Sequence, residues 1–126
     1  MYTINRLMTN ICSDHLAQSK AFYTTLFDLE VNFDSDWFVQ LVSKDKGFEL
    51  GIIDRKHEMV PEAFQHQPTG FYLTFVVENA DAVFELAKEK LFEIVQEPED
   101  TFYGQRRLLL KDPDGTLLDV SSLIPA

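Results

Sequence analysis

The pattern of apolar and polar residues near the end of the chain predicts a β-hairpin. Two apolar runs, residues 108–110 and 117–120, flank the sequence DPDG at residues 112–115. Proline fixes φ, aspartate accepts hydrogen bonds from nearby backbone N–H groups, and glycine accepts a positive φ, so this sequence is typical of a tight turn. Asp119 alternates with its apolar neighbours and therefore points to the opposite face of the second strand. A carboxylate in that place needs a partner, a ligand or water.

The same order of apolar positions occurs twice along the chain. The segment that begins at Leu7 aligns without gaps with the segment that begins at Phe71, and each predicts a strand, an amphipathic helix and further strands. Glu49 lies between two apolar residues, as Asp119 does, and we interpret the two acids as equivalent. The chain is therefore predicted to be one α+β domain over residues 1–126, built from two βαβββ modules. The modules are predicted at about residues 5–53 and 70–122, with a linker over residues 54–69.

The period of the apolar pattern predicts the elements of each module. Ser13 or Asp14 is expected to cap the first helix, and the apolar side of that helix is expected to carry Ala21, Phe22 and Leu26, with Leu29 after it. The predicted elements are a strand over 5–12, a helix over 16–27, strands over 31–33, 37–42 and 47–53, a strand over 71–77, a helix over 81–90, a strand over 93–96, a turn around Pro98 and the final hairpin.

Composition and charge narrow the class of partner. The chain has 126 residues and a formal net charge of −10, which argues against nucleic acid and favours a cationic ligand, although acidity also serves solubility. Cys12 is the only cysteine, which excludes an internal disulfide framework and fits a reducing compartment. The first residues lack the apolar core of a signal peptide, and no apolar run reaches membrane length. A cytoplasmic protein without membrane contact is expected.

Three stretches of the chain resemble the vicinal oxygen chelate superfamily, which includes glyoxalase I, bleomycin-resistance proteins, fosfomycin-resistance enzymes and extradiol dioxygenases. The resemblance implies that the two modules form curved mixed sheets around a cavity, and that two chains pair as a homodimer. Many members of the superfamily have a glycine near the end of the second helix, where this chain has Leu91, so a less tight exit from that helix is expected. It does not name a reaction, because the fold serves both enzymes and plain binding proteins. The stretches are residues 15–23 (HLAQSKAFY), 70–83 (GFYLTFVVENADAV) and 103–120 (YGQRRLLLKDPDGTLLDV).

The resemblance also identifies four inner positions at which the metal-dependent relatives hold their ion. Here Met8, Glu49, Tyr72 and Asp119 occupy them. Zinc, nickel and iron sites of this kind need imidazole together with carboxylate, and both histidines are missing. We therefore expect no tightly bound metal or other cofactor, with Glu49 and Asp119 as weak candidate ligands for Mg²⁺ or Mn²⁺.

The two linker histidines give a weaker metal signal. His57 and His66 lie nine residues apart, a loose spacing for a metal site. A solvated linker with a short helical turn after Pro61 is the favoured interpretation.

The first functional hypothesis is a small-molecule-binding protein that resembles the bleomycin-resistance type and sequesters a cationic or aromatic compound. Strand alternation allows only one of the two neighbouring arginines, Arg106 and Arg107, to face the cavity. Trp37 is either core or a platform for a flat ring. The predicted ligand-binding residues are Trp37, Glu49, Tyr72, Tyr103, Arg106 and Asp119.

Two other hypotheses stay open at this point. One is a metal-dependent glyoxalase-, lyase- or dioxygenase-type enzyme with an altered ligand set. The other is a structural or regulatory dimer with a vestigial cavity. The absence of the paired imidazoles makes a binding protein the preferred interpretation over an enzyme, and no catalytic residue is assigned.

Overall fold

The chain forms two four-stranded mixed sheets with one α-helix each, in a computed structural model that describes residues 1–45 and 47–124. It divides into two compact units between Gln67 and Pro68. In the first sheet the strand order is β1-β4-β3-β2, with β1 parallel to β4 and the other pairs antiparallel. The elements of the first unit are β1 Thr9–Ser13, α1 Leu16–Leu26, β2 Leu29–Asp34, β3 Phe38–Ser43, β4 Glu49–Asp54 and a short 3₁₀ helix at Glu62–Phe64.

The second unit repeats this topology. Its sheet has the order β5-β8-β7-β6, with β5 parallel to β8. The predicted duplicated βαβββ unit, the C-terminal hairpin and the helical turn after Pro61 are therefore confirmed, whereas the enclosed cavity stays a prediction. The elements of the second unit are β5 Tyr72–Val76, α2 Ala80–Glu89, β6 Glu93–Asp100, β7 Gln105–Lys111 and β8 Leu117–Leu123.

Helix α1 buries a stripe that differs from the predicted one. Ser19, Phe22, Tyr23 and Leu26 are buried, at the i, i+3, i+4, i+7 spacing of one helix face, whereas Ala21 is exposed. The prediction was wrong about Ala21 because it passed over a serine in favour of an apolar residue. The buried sheet residues of this unit, Ile11, Val39, Leu41, Leu50 and Ile52, alternate along their strands and so define the helix face of the first sheet.

The first strand is shorter than predicted. It begins at Thr9 rather than at residue 5, because its ladder with β4 begins with the pair Thr9 and Leu50. Leu7, which lies before this pair, is exposed. The first helix is capped at His15 without a side-chain hydrogen bond to the helix, and Ser13 Oγ instead accepts from the His15 N–H at 2.9 Å.

Strand β6 continues through Pro98, where a turn was predicted. Proline is tolerated here because β6 is an edge strand with a partner only on the side of β7. Its pairing with β7 shifts between Ile94 and Gln96 and again between Gln96 and Glu99, so the proline lies in an irregular stretch of the ladder.

The exit of helix α2 is tight, contrary to prediction. Leu91 adopts the left-handed conformation with φ of 60°, which a glycine normally supplies at this position. The Phe92 N–H donates to the Ala87 carbonyl at 2.9 Å and the Leu91 N–H to the Lys88 carbonyl at 3.1 Å, the two bonds of a Schellman motif. The leucine side chain is 90% exposed, so packing does not offset its strain.

Leu91→Gly is expected to stabilise the protein by about 0.5–1 kcal/mol. A non-glycine residue in the left-handed region costs about 1–2 kcal/mol, and part of this gain is lost to the greater freedom of glycine in the unfolded chain. Thermal unfolding should show a melting temperature higher by roughly 2–4 °C. Leu91→Ala is the control, because it removes the exposed apolar side chain but keeps Cβ. Equal gains in both variants would contradict the backbone explanation.

Candidate functional site

The two acids that the sequence pattern suggested to be equivalent occupy different positions in their sheets. Asn10 of β1 pairs with Gly51 of β4, and Thr74 of β5 pairs with Asp119 of β8. Asn10 and Thr74 each lie six residues before the start of their helix, at Leu16 and Ala80, so they are counterparts. The first-unit counterpart of Asp119 is therefore Gly51. Glu49 lies two residues earlier, which leaves it on the same face because strand alternation has a period of two.

Gly51 has no room for a side chain. A Cβ atom there would lie 2.1 Å from Asn10 Oδ1 and 2.9 Å from Cε1 of the Phe38 ring. In the first sheet, Asn10 and Phe38 therefore occupy the space that corresponds to the Asp119 carboxylate in the second sheet. We call the side of each sheet opposite its helix face the far face, and these three residues belong to it.

Glu49 is held on the far face of the first sheet by Arg6, a contact that the sequence did not reveal. Arg6 Nε lies 2.6 Å from Glu49 Oε2 and Arg6 Nη2 lies 2.5 Å from Oε1, a bidentate pair. Gln40 Nε2 donates to the same Oε1 at 2.7 Å, and Gln40 in turn accepts from Asn32 at 2.8 Å. The hydrogen bond from Arg6 holds the pKa of Glu49 below its ordinary value.

Met8 also contacts Arg6. Its sulfur lies 3.8 Å from Arg6 Nη2, just before the first residue of β1. Arg6 therefore contacts both Met8 and Glu49, the two first-unit residues that the resemblance placed at metal-ligand positions.

Asp119 is the centre of a polar cluster on the far face of the second sheet. Its Oδ1 accepts from Ser121 Oγ at 2.5 Å, and its Oδ2 lies 3.4 Å from Thr74 Oγ1 and 3.2 Å from Arg107 Nε. The Arg107 guanidinium lies over the Tyr72 ring at 5.9 Å from its centroid. The Asp119 side chain is only 8% exposed, whereas that of Arg107 is 26% exposed. We call these five residues the Asp119 cluster.

Arg106 does not belong to this cluster, and its predicted role in ligand binding stays a prediction. It pairs with Ser122, whose Oγ accepts from the Ala80 N–H at the start of α2, and therefore lies on the helix face. There it forms ion pairs with Asp81 at 2.9 Å and with Asp100 at 3.1 Å. The hydrogen bond to Asp81, and to a smaller extent the one to Asp100, raises the pKa of Arg106. Arg107 is the residue of the two that lies on the far face, which strand alternation alone could not decide.

The remaining predicted site residues have other contacts. Trp37 is half-buried and stacks on the His57 ring, with centroids 4.0 Å apart and planes at 14°. His57 thus covers part of the indole surface that was proposed for a ligand. Tyr103 lies in the turn between β6 and β7 and packs edge-on against Phe102 at 5.2 Å. Of the predicted residues, the structure brings Tyr72 and Asp119 together.

The acids of the site fit a metal ion poorly. Both carboxylates accept hydrogen bonds or ion pairs from protein side chains on each of their oxygens. Within residues 1–45 and 47–124, no three histidine, cysteine, aspartate or glutamate side chains are grouped so that they could hold a metal. A metal at Glu49 would have to displace Arg6 first.

No helix in the described part of the chain is both long enough and apolar enough to cross a membrane.

Comparison with protein families gives one match over most of the chain. The family model described as Glyoxalase/Bleomycin resistance protein/Dioxygenase superfamily matches residues 3–120. A comparison with curated proteins gave no significant match.

Solved structures with the same fold include several glyoxalase-like proteins. A glyoxalase-related enzyme from Fulvimarina pelagi is 18% identical with a TM-score of 0.81, and the match covers 94% of this chain and 88% of that one. A glyoxalase/bleomycin resistance protein/dioxygenase family enzyme from Burkholderia phytofirmans PsJN is 21% identical with a TM-score of 0.78, covering 93% and 97%. Lactoylglutathione lyase from Agrobacterium tumefaciens is 17% identical with a TM-score of 0.71, covering 93% and 92%. At these identities the likeness concerns the fold.

Proposed function

The chain belongs to the glyoxalase/bleomycin resistance protein/dioxygenase superfamily, and from this premise we propose that it binds a small aromatic molecule without a tightly bound metal. The observation that carries the proposal is that Glu49 and Asp119, each on the far face of its sheet, are each paired with an arginine of the same unit. In the metal-dependent relatives such acids are ligands, and here their oxygens are already used. Binding rather than metal catalysis is what these side chains support.

The Asp119 cluster supplies a surface for a flat ring. Tyr72 is 52% exposed and Arg107 lies against its ring, so an aromatic ligand can stack on either the phenol or the planar guanidinium. The ion pair with Asp119 at 3.2 Å orients Arg107. Most of the affinity has to come from apolar burial, because micromolar binding requires about 8 kcal/mol.

The expectation of a cationic ligand is weaker for the second unit. An unpaired acid at this position would favour a cationic ligand. Asp119, however, already has a cation in Arg107. The overall charge of −10 still disfavours anions at long range, so neutral and cationic aromatic compounds are the expected ligands at the Asp119 cluster.

Titration of planar neutral, cationic and anionic aromatic compounds of matched shape tests the proposal. We expect neutral or cationic members to raise the melting temperature and to shift the backbone amide resonances of β5 and β8, because a ligand of the folded state stabilises it. Tyr72→Ala should weaken binding by about tenfold through the lost stacking contact. Phe102→Ala is the matched control, because that ring is fully exposed in the β6–β7 turn. Absence of binding across the panel would overturn the proposal.

A metal-dependent enzyme is the competing function, and elemental analysis separates it from the proposed one. After purification without a histidine tag, we expect no stoichiometric zinc, nickel or iron. A stoichiometric metal that disappears in Glu49→Ala would support the enzyme instead.

The predicted homodimer stays a proposal as well, and a sedimentation mass of one chain at micromolar concentration would contradict it.

A further inference from the structure

We propose that Glu49 is a receptor for a planar cationic group, and that Arg6 of the same chain occupies this receptor in the structure. The proposal deepens the proposed function by naming a cationic ligand class and a built-in competitor for it. It concerns the far face of the first sheet and rests on contacts within the first unit.

The receptor is a well-oriented carboxylate. The Glu49 side chain is 14% exposed, lies at the start of β4 and accepts from the Gln40 amide at 2.7 Å. Gln40 is fixed in turn by Asn32 at 2.8 Å. Two carboxylate oxygens held in this way match two parallel N–H donors, the geometry of guanidinium and amidinium groups.

Two aromatic rings lie on the same face of the sheet as this carboxylate. Phe33 pairs with Gln40 across β2 and β3, which places it on the same far face, and its ring lies 6.2 Å from that of Phe38. Phe38 and Phe33 together offer a ring surface to the aromatic part of a ligand whose charged end lies on Glu49. An aryl amidine or aryl guanidine combines both parts.

The present occupant is attached to a segment that can leave. Arg6 lies before the first strand, and its side chain is 61% exposed although it makes a bidentate pair. Its neighbours Ile4 and Leu7 are exposed, so no core contact of theirs holds the segment in place. Arg6 therefore competes with an external cation at a high local concentration, as any tethered ligand does.

Benzamidinium titration of the full-length chain, followed by the amide resonances of β3 and β4, tests this inference. Arg6→Ala should bind benzamidinium about tenfold more tightly than the wild type, because a charge-assisted bidentate contact becomes available. Arg6→Lys should remain close to the wild type, because it keeps a tethered cation. Neutral benzamide should not gain affinity in Arg6→Ala, and Glu49→Gln in the Arg6→Ala background should abolish the gain.

Equal benzamidinium affinity of the wild type and Arg6→Ala, or a gain that survives Glu49→Gln, would overturn the inference. Arg6→Gln gives a second test, because it keeps a polar side chain without the charge, and it should gain benzamidinium affinity as Arg6→Ala does. If no Arg6 variant gains affinity while neutral aromatic compounds bind the wild type, the inference fails and the proposed function stands. If Arg6→Ala gains Glu49-dependent affinity while the wild type binds no compound of the aromatic panel, the proposed function fails and the inference stands.

Discussion

Replacing Asp112 with alanine is expected to lower the free energy of unfolding by about 2–4 kcal/mol. Asp112 is buried in the turn between β7 and β8, and its Oδ1 accepts from the backbone N–H groups of Asp114 and Thr116, each at 2.8 Å. Alanine leaves both donors without this acceptor in a buried turn, and each unsatisfied donor costs about 1–3 kcal/mol.

Asp112→Asn is the matched control for this prediction. Its side-chain oxygen can still accept both N–H groups, so the loss should be well below that of alanine. Urea unfolding followed by circular dichroism measures both variants under the same conditions. Similar small losses in the two variants would mean that the turn is held by its backbone contacts, such as the Gly115 N–H to Asp112 carbonyl bond at 3.1 Å, rather than by the side chain.

The hairpin that depends on Asp112 could be predicted from the sequence because its determinants are local. Proline, aspartate and glycine act on the few residues around them, and the apolar alternation on both sides sets the strands. The duplicated modules could be predicted for a similar reason, since the apolar pattern that begins at Leu7 aligns without gaps with the pattern that begins at Phe71. Helix α1 shows the limit of this approach, because the buried Ser19 carries no apolar signal.

The candidate site was less predictable because it depends on contacts between residues far apart in sequence. Arg6 and Glu49 are 43 residues apart, and nothing in either local pattern indicates the pair. The choice between Arg106 and Arg107 depends on the register of β7 against β8, which the turn sets and the alternation alone does not. The false equivalence of Glu49 and Asp119 has the same origin, since a shift of two residues preserves the apolar pattern.

The same register makes Asp119 a structural residue as well as a candidate ligand-binding one. Ser121 is fully buried and donates to Asp119 Oδ1, while Arg107 Nε is buried, forms an ion pair with Oδ2 at 3.2 Å and makes no hydrogen bond. Removal of Asp119 therefore leaves the buried Ser121 hydroxyl without its acceptor and the Arg107 guanidinium without its counter-charge. A loss of ligand affinity in an Asp119 variant has meaning only when its stability is known.

Asp119→Ala is expected to lower the free energy of unfolding by about 2–3 kcal/mol, somewhat less than the roughly 3–5 kcal/mol typical of a fully buried pair, because Arg107 can reach water. Asp119→Asn should lose less, since its oxygen still accepts from Ser121. The double variant Arg107→Met/Asp119→Ala should recover at least about 1 kcal/mol relative to Asp119→Ala, because no unpaired charge remains. Urea unfolding of the wild type, of Asp119→Ala, of Arg107→Met and of the double variant measures this coupling. If the two losses simply add, Asp119 is held by Ser121 and Thr74 alone, and Arg107 is then free to serve a ligand without cost to the fold.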